Sequence, residues 1–157
     1  MYVNARPTAS MIIVRDGQFL ALRRAVDPKA GQWELPGGFC DGWEHPTEAA
    51  VREAREELGV GIRLGDFLGM YVGQYDYQDE LLPVLDCYFL AALDEGEINL
   101  APAEATEYAW FPLADPPSLA FDTMNNALAD LARITGLAAG RGGENLARTR
   151  DDVGRRV

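Results

Sequence analysis

The chain has 157 residues, 48% of them hydrophobic and 10% aromatic, enough for one compact domain with an ordinary core and too apolar for wholesale disorder. Its formal charge of −11 argues against a nucleic-acid surface, which needs basic residues to neutralise phosphates. Two cysteines without a C-x-x-C and a single histidine cannot build a disulfide framework or a zinc site, and the longest apolar stretches, Met11 to Val14 and Val84 to Ala92, are too short or interrupted to span a bilayer.

Taken in chain order, Thr8 to Val14 reads as an apolar, β-branched strand, Asp16-Gly17 as a turn, and Phe19 to Arg24 as the returning strand. Pro28 to Gly31 is a loop. Trp33-Glu34-Leu35 is a short strand running into Pro36-Gly37-Gly38, where the backbone must turn tightly or approach something closely. The clearest helix runs from Pro46 to Leu58. Proline suits its first position, Glu48 favours the positive end of its dipole, and Gly59 supplies the stop. Thr47, Ala50, Val51, Ala54 and Leu58 recur at helical spacing and are expected to face the core.

Strands follow at Ile62 to Tyr71, Val84 to Ala92 and Tyr108 to Phe111, with Gln74 to Leu82 between the first two as a loop or hairpin tip. A second helix is expected over Thr123 to Ile134, started by Asp122 and ended by Gly136. Gly140 to Gly143 breaks the pattern. From Arg141 onward five arginines stand against three acids, a net of +2, which leaves −13 on the first 140 residues. Residues 1–139 are therefore assigned to one domain and 140–157 to a solvated tail. Strands on both sides of a central helix, with a late second helix, imply a mixed α/β (α+β) fold in which helices flank a mixed sheet. Met1 to Thr8 has no apolar signal-peptide core, so a soluble, cytoplasmic protein is expected.

Glu53, Glu56 and Glu57 lie at i, i+3 and i+4 on the first helix and share one face within an arc of roughly 100°. Like charges so placed repel, whereas hard divalent cations bind carboxylate and carbonyl oxygens; three aligned glutamates make a metal platform. A metal would also reverse the sign of so acidic a protein where an anionic substrate arrives.

The segment from Gly38 to Val60 resembles the Nudix box, G-x5-E-x7-R-E-U-x-E-E-x-G-U, where U is a bulky aliphatic. Gly38, Glu44, Arg52, Glu53, Glu56, Glu57, Gly59 and Val60 are in register, and only Ala54, small at a U position, departs. Eight matches in nine defined positions at fixed spacing make chance agreement very improbable. The approach Leu20 to Arg24 and Gly31 to Gly38 and the late strand Glu107 to Leu113 are also similar to the family, so the likeness runs from about residue 8 to 135. It implies a Nudix-like α/β/α sandwich with a mixed β-sheet and Mg²⁺-dependent (or Mn²⁺-dependent) hydrolysis of a pyrophosphate bond in a nucleoside diphosphate linked to another moiety.

By that resemblance Glu53, Glu56, Glu57 and the Gly37 carbonyl hold the metal, which clamps the pyrophosphate and acidifies the attacking water. Glu56 is the expected general base. In some relatives the base comes from a later loop, where Glu104 is preferred to Glu107, which can simply begin the strand. Glu44 and Arg52 are expected to pair and fix the loop against the helix, with Gly38 and Glu107 as supporting residues. Arg23 or Arg24 can reach a phosphate, and Tyr75 and Tyr77 can stack on a base, while Tyr71 and Trp33 suit the core. His45 is expected to cap the helix and Arg55 to face solvent. The substrate leans to ADP-ribose or a nucleotide sugar. A (d)NTP or oxidised-nucleotide pyrophosphatase is the alternative, and a nucleotide-binding module without turnover the reading from another class. Many such relatives are homodimers, and no nucleic-acid or membrane partner is expected.

Overall fold

The computed structural model describes residues 2–136; the tail assigned to 140–157 lies outside the described residues. Among the described residues seven strands and two helices follow in the order β1 (Arg6–Arg15), β2 (Gln18–Arg24), β3 (Trp33–Glu34), β4 (Gly37–Phe39), α1 (Pro46–Leu58), β5 (Ile62–Tyr77), β6 (Glu80–Leu93), β7 (Ala105–Pro112) and α2 (Asp122–Thr135). The sheet is mixed. β1 runs parallel to β6 from Arg6↔Val84 to Ile13↔Ala91 and antiparallel to β4, with Thr8 opposite Phe39. β2 lies antiparallel to β3 and β7, and β5 and β6 form a long hairpin.

Strand alternation divides the core. Ala9, Met11 and Ile13 of β1 and Cys87, Phe89 and Ala91 of β6 point to one face, where α1 adds Ala49, Ala50, Ala54 and Leu58. Ile12 and Tyr88 point to the other, where Met124, Ala127, Leu128 and Leu131 of α2 cover them. One helix on each face of a mixed sheet is the α/β/α sandwich expected from the sequence. Ala49, Ala50 and Ala54 are fully buried, so the small residue at the aliphatic position of the box fits a helix lying close to the sheet. Leu58, also fully buried, contributes about 1.5–3 kcal/mol through burial alone.

Several expectations are corrected. Of the two readings of Gln74 to Leu82 the hairpin tip holds and the loop does not: β5 continues to Tyr77, β6 starts at Glu80, and only Gln78 and Asp79 turn. Both adopt positive φ, 51° and 63°, the geometry of a two-residue hairpin that matches strand twist, so the strands pair right up to the turn despite their polar residues. Thr47 is half-buried rather than core, because its backbone N–H donates to His45 Nδ1 and its hydroxyl pairs with the same atom at 2.8 Å. His45 thus caps α1 as expected, and Gly59 closes it in the left-handed conformation. Asp122 sits inside the first turn of α2 and does not cap it; Phe121 precedes the helix without a side-chain cap bond. No helix among the described residues is long and apolar enough to cross a membrane.

Candidate functional site

The three glutamates of α1 share an arc but not an environment. Glu56 is exposed, with 54% of its side chain accessible; the Glu53 side chain is 13% accessible, and Glu57 is 7% exposed among the core residues. Helical side chains lean toward the N-terminus, which carries Glu57 back beneath β4. There its Oε1 accepts the Gly37 N–H at 3.3 Å, while Oε2 is buried without a hydrogen-bond partner among the described residues. Burial, followed by the charges of Glu34, Glu53 and Glu104, pushes the Glu57 carboxyl well above the ordinary range, and the Gly37 amide only partly opposes it. Burial raises Glu53 as well, against the pull of Arg52.

Arg52 is the hub of the opposite arrangement. Its Nε and Nη2 each donate to the Glu44 carboxylate at 2.8 Å, a bidentate fork, and Nη2 also reaches the Phe39 carbonyl at 3.1 Å. Nη1 donates to Glu53 at 2.8 Å and to Glu56 at 3.2 Å. Glu44 further accepts the Asp41 N–H, and this bonding, chiefly from Arg52, holds its carboxyl down to about 2. The expected pairing of Glu44 with Arg52 is present, and it ties the loop after β4 to the helix.

The two glycines serve approach rather than flexibility. At φ 151°, Gly37 lies so close to β1 that a Cβ would collide with the Ala9 carbonyl; a Cβ on Gly38 would run into the Glu53 carboxylate. Among the described residues no three acidic, histidine or cysteine side chains are gathered at metal-ligand spacing, and Arg52 supplies the positive charge that Glu53 and Glu56 face. The chemistry of the set nevertheless fits a cation. An orphaned carboxylate oxygen buried amid further carboxylates lacks a positive partner, and hard divalent ions take such oxygens.

Of the remaining candidates, Arg24 and Tyr75 line a cavity of about 140 Å³ that also contains Glu34, Gly37 and Gly38. The Arg24 guanidinium pairs with Glu34, donates through Nε to the Pro28 carbonyl, and donates through Nη2 to the Tyr75 hydroxyl at 3.3 Å. Arg23 and Tyr77 are not brought to this cavity. Arg23 lies over Trp33 and pairs with Glu107 at 3.1 Å, and Tyr77 is exposed at the hairpin end. Glu107 stands on β7 as that pair's partner. Glu104 is exposed in the turn before β7, its carbonyl accepting the Ala25 N–H beside Arg24, and its charge is felt at Glu34, Glu53 and Glu57. Tyr71 bridges β5 to α2 by donating to Asp130 at 2.6 Å, and Arg55 is exposed, as expected.

Glu34 was not singled out from the sequence. It is paired to Arg24, yet burial keeps its carboxyl above the ordinary range. An acid alternating between Trp33 and Leu35 just before the glycines was the available signal. Asp86, alone among apolar neighbours in β6, was another.

A family model described as NUDIX domain matches residues 5–131. The chain is 33% identical over 122 residues to the ADP-ribose pyrophosphatase of Methanocaldococcus jannaschii, covering 78% of this chain and 70% of that protein. It is 31% identical over 125 residues to an RNA pyrophosphohydrolase of Erythrobacter litoralis, covering 69% and 76% of the two chains. Among solved structures, a MutT NUDIX hydrolase from Burkholderia pseudomallei matches with a TM-score of 0.71 and 30% identity, over 82% of this chain and 98% of the other.

Proposed function

The chain belongs to the Nudix hydrolase family, and from that premise we propose that it hydrolyses the pyrophosphate bond of a nucleoside diphosphate linked to a second moiety, ADP-ribose or a nucleotide sugar, releasing a nucleoside monophosphate. The observation that carries the reading is Glu57, a buried carboxylate with an orphaned oxygen amid the charges of Glu34, Glu53 and Glu104. The likeness to the archaeal ADP-ribose pyrophosphatase supports the ADP-ribose choice.

Family members generally use a divalent metal. We assign Mg²⁺, or Mn²⁺ in its place, to Glu53, Glu56, Glu57 and the Gly37 carbonyl. Bound there, it would neutralise the pyrophosphate and acidify the attacking water. The protein's own residues do the rest. Glu56, the exposed member, accepts the proton of the attacking water, with Glu104 as the alternative acceptor. Arg52 and Glu44 hold the loop after β4 against the helix, and Arg52 also holds the Phe39 carbonyl at the end of the strand that carries Gly37 and Gly38, so the carboxylates keep their spacing to the phosphates. Arg24 and Tyr75 orient the nucleotide from the cavity side.

The test is a panel of ADP-ribose, NADH, nucleotide sugars, dinucleoside polyphosphates and (d)NTPs incubated with protein and Mg²⁺, with products resolved by chromatography. One compound class should be cleaved, chelator should stop cleavage, and Glu56→Gln and Glu57→Gln should lower it by orders of magnitude. Folded protein that cleaves nothing on the panel would sink the reading.

A further inference from the structure

The cavity beside the carboxylates has walls and a floor of different chemistry. Its walls are aromatic. Tyr75 meets Phe39 edge-on at 5.6 Å and Phe121 at 5.4 Å with a 36° tilt, and all three rings line the space. At about 140 Å³, close to the roughly 150 Å³ of a cavity that takes benzene, it admits one six-membered aromatic ring, which in purines and pyrimidines alike is the ring that carries the exocyclic amino group. Aromatic walls present π faces on which a base can stack. On the side toward α1 the lining is Gly37 and Gly38, so a group held here lies next to the carboxylates.

The floor is Asp86, 8% exposed and the one charged residue between Leu81 and Ala92. It forms no ion pair among the described residues. Its partners are hydroxyls: Thr8 donates to Oδ1, Thr123 donates to Oδ2, and the Tyr88 hydroxyl lies 3.5 Å from Oδ2. A buried carboxylate is costly unless it is hydrogen-bonded, and these hydroxyls supply donors to both of its oxygens. A carboxylate offers about four acceptor positions, so three donors leave one further position on Asp86, a residue that lines the cavity.

We propose that this cavity receives the nucleobase of the substrate, and that Asp86 selects a base carrying an exocyclic amino group (adenine, guanine or cytosine) over its deaminated counterpart. The assignment rests on the nucleotide reading above and adds to it the determinant of base choice. An amino N–H donates to the free carboxylate position. A carbonyl at the same ring position would set acceptor against acceptor and leave both buried and unpaired, which discriminates between ligands more strongly than a missing apolar contact does. The hydroxyls of Thr8 and Thr123 already donate to the carboxylate, so it meets the cavity as an acceptor. Arg24 fixes the Tyr75 wall through its hydrogen bond to the phenol oxygen.

Nucleoside monophosphates are suitable probes because they contain no pyrophosphate bond to cleave. Calorimetric titration of the full chain in Mg²⁺ buffer should show AMP binding roughly 5- to 150-fold more tightly than IMP, with CMP likewise ahead of UMP. Asp86→Asn should level both ratios, because an amide can turn either its oxygen or its N–H₂ toward the base. Loss of fold alone does not produce that levelling. If Asp86→Asn does not fold by circular dichroism, the parent's ratios still decide, and Tyr75→Leu should weaken AMP binding about tenfold. Equal binding of AMP and IMP to the parent overturns the proposal, as does a folded Asp86→Asn that keeps the parent's preference. Hydrolysis of the panel without base preference overturns the pocket assignment alone. Strong base preference with no hydrolysis supports the pocket and overturns the pyrophosphohydrolase reading.

Discussion

Glu44 and Glu57 belong to the same motif and lie only one helix apart, yet they have opposite fates. Glu44 is gripped by both arms of the Arg52 fork and by the Asp41 amide, so its charge is fully matched. Glu57 is more deeply buried, has one weak amide donor and one orphaned oxygen, and faces other carboxylates. The first arrangement stabilises the fold. The second stores unfavourable electrostatics at the place proposed for an anionic substrate and a cation, as functional sites often do. A motif conveys both kinds of residue in one string; their partners separate them.

The contrast can be broken or sharpened at several points. Its largest expression should be Glu56→Gln, which removes the proposed proton acceptor and should lower the hydrolysis rate by roughly 10²- to 10⁴-fold with the fold unchanged. Retention of the full rate would move the base to Glu104. Arg52→Gln strips the fork from Glu44 and the charge from Glu53 and Glu56; turnover should drop about 10- to 100-fold through displaced carboxylates. Arg52→Lys should recover part of that loss, since it restores charge without the bidentate geometry. At the cavity, Tyr75→Leu should raise KM about tenfold, whereas Tyr77→Leu, outside the cavity, should stay within about twofold.

The smaller effects concern stability. Glu57→Gln removes an unmatched buried charge, so in chelator it should stabilise the protein by about 1 kcal/mol, raising Tm by roughly 2–4 °C, while abolishing activity. A lower Tm would mean that the charge is better matched than its contacts show. For Glu44 the sign runs the other way. Its carboxyl lies at about 2 in the fold against an ordinary 4.5, so its contribution is present above about pH 4.5 and disappears as pH falls toward 2. The Tm gap between parent and Glu44→Gln should therefore be open at pH 6 and shrink through pH 4 to 3; a pH-independent gap would contradict the pairing.

Much of this was legible in the sequence because the signals are local. Asp16-Gly17, Pro46, His45 and Gly59 act on their immediate neighbours, so β1, β2 and α1 follow from short-range turn and capping chemistry. The box glutamates were visible because spacing on a helix fixes direction. The length of β5 was not visible. Polar residues from Gln74 to Tyr77 read as loop or hairpin tip, and only pairing with Glu80, Leu81, Leu82 and Pro83 across the hairpin makes them strand.

By itself the sequence determined the family, the order of elements and the set of acids that share one face of α1. Tertiary structure decided which of those acids is buried, because Glu57 meets β4 rather than solvent only when the helix docks on the sheet. It also brought Glu34, Asp86 and Phe121 together with Tyr75, residues from four separate elements or loops. No local pattern encodes such a meeting. Burial and unmatched charge are properties of surfaces brought into contact, and they arise only once distant segments pack.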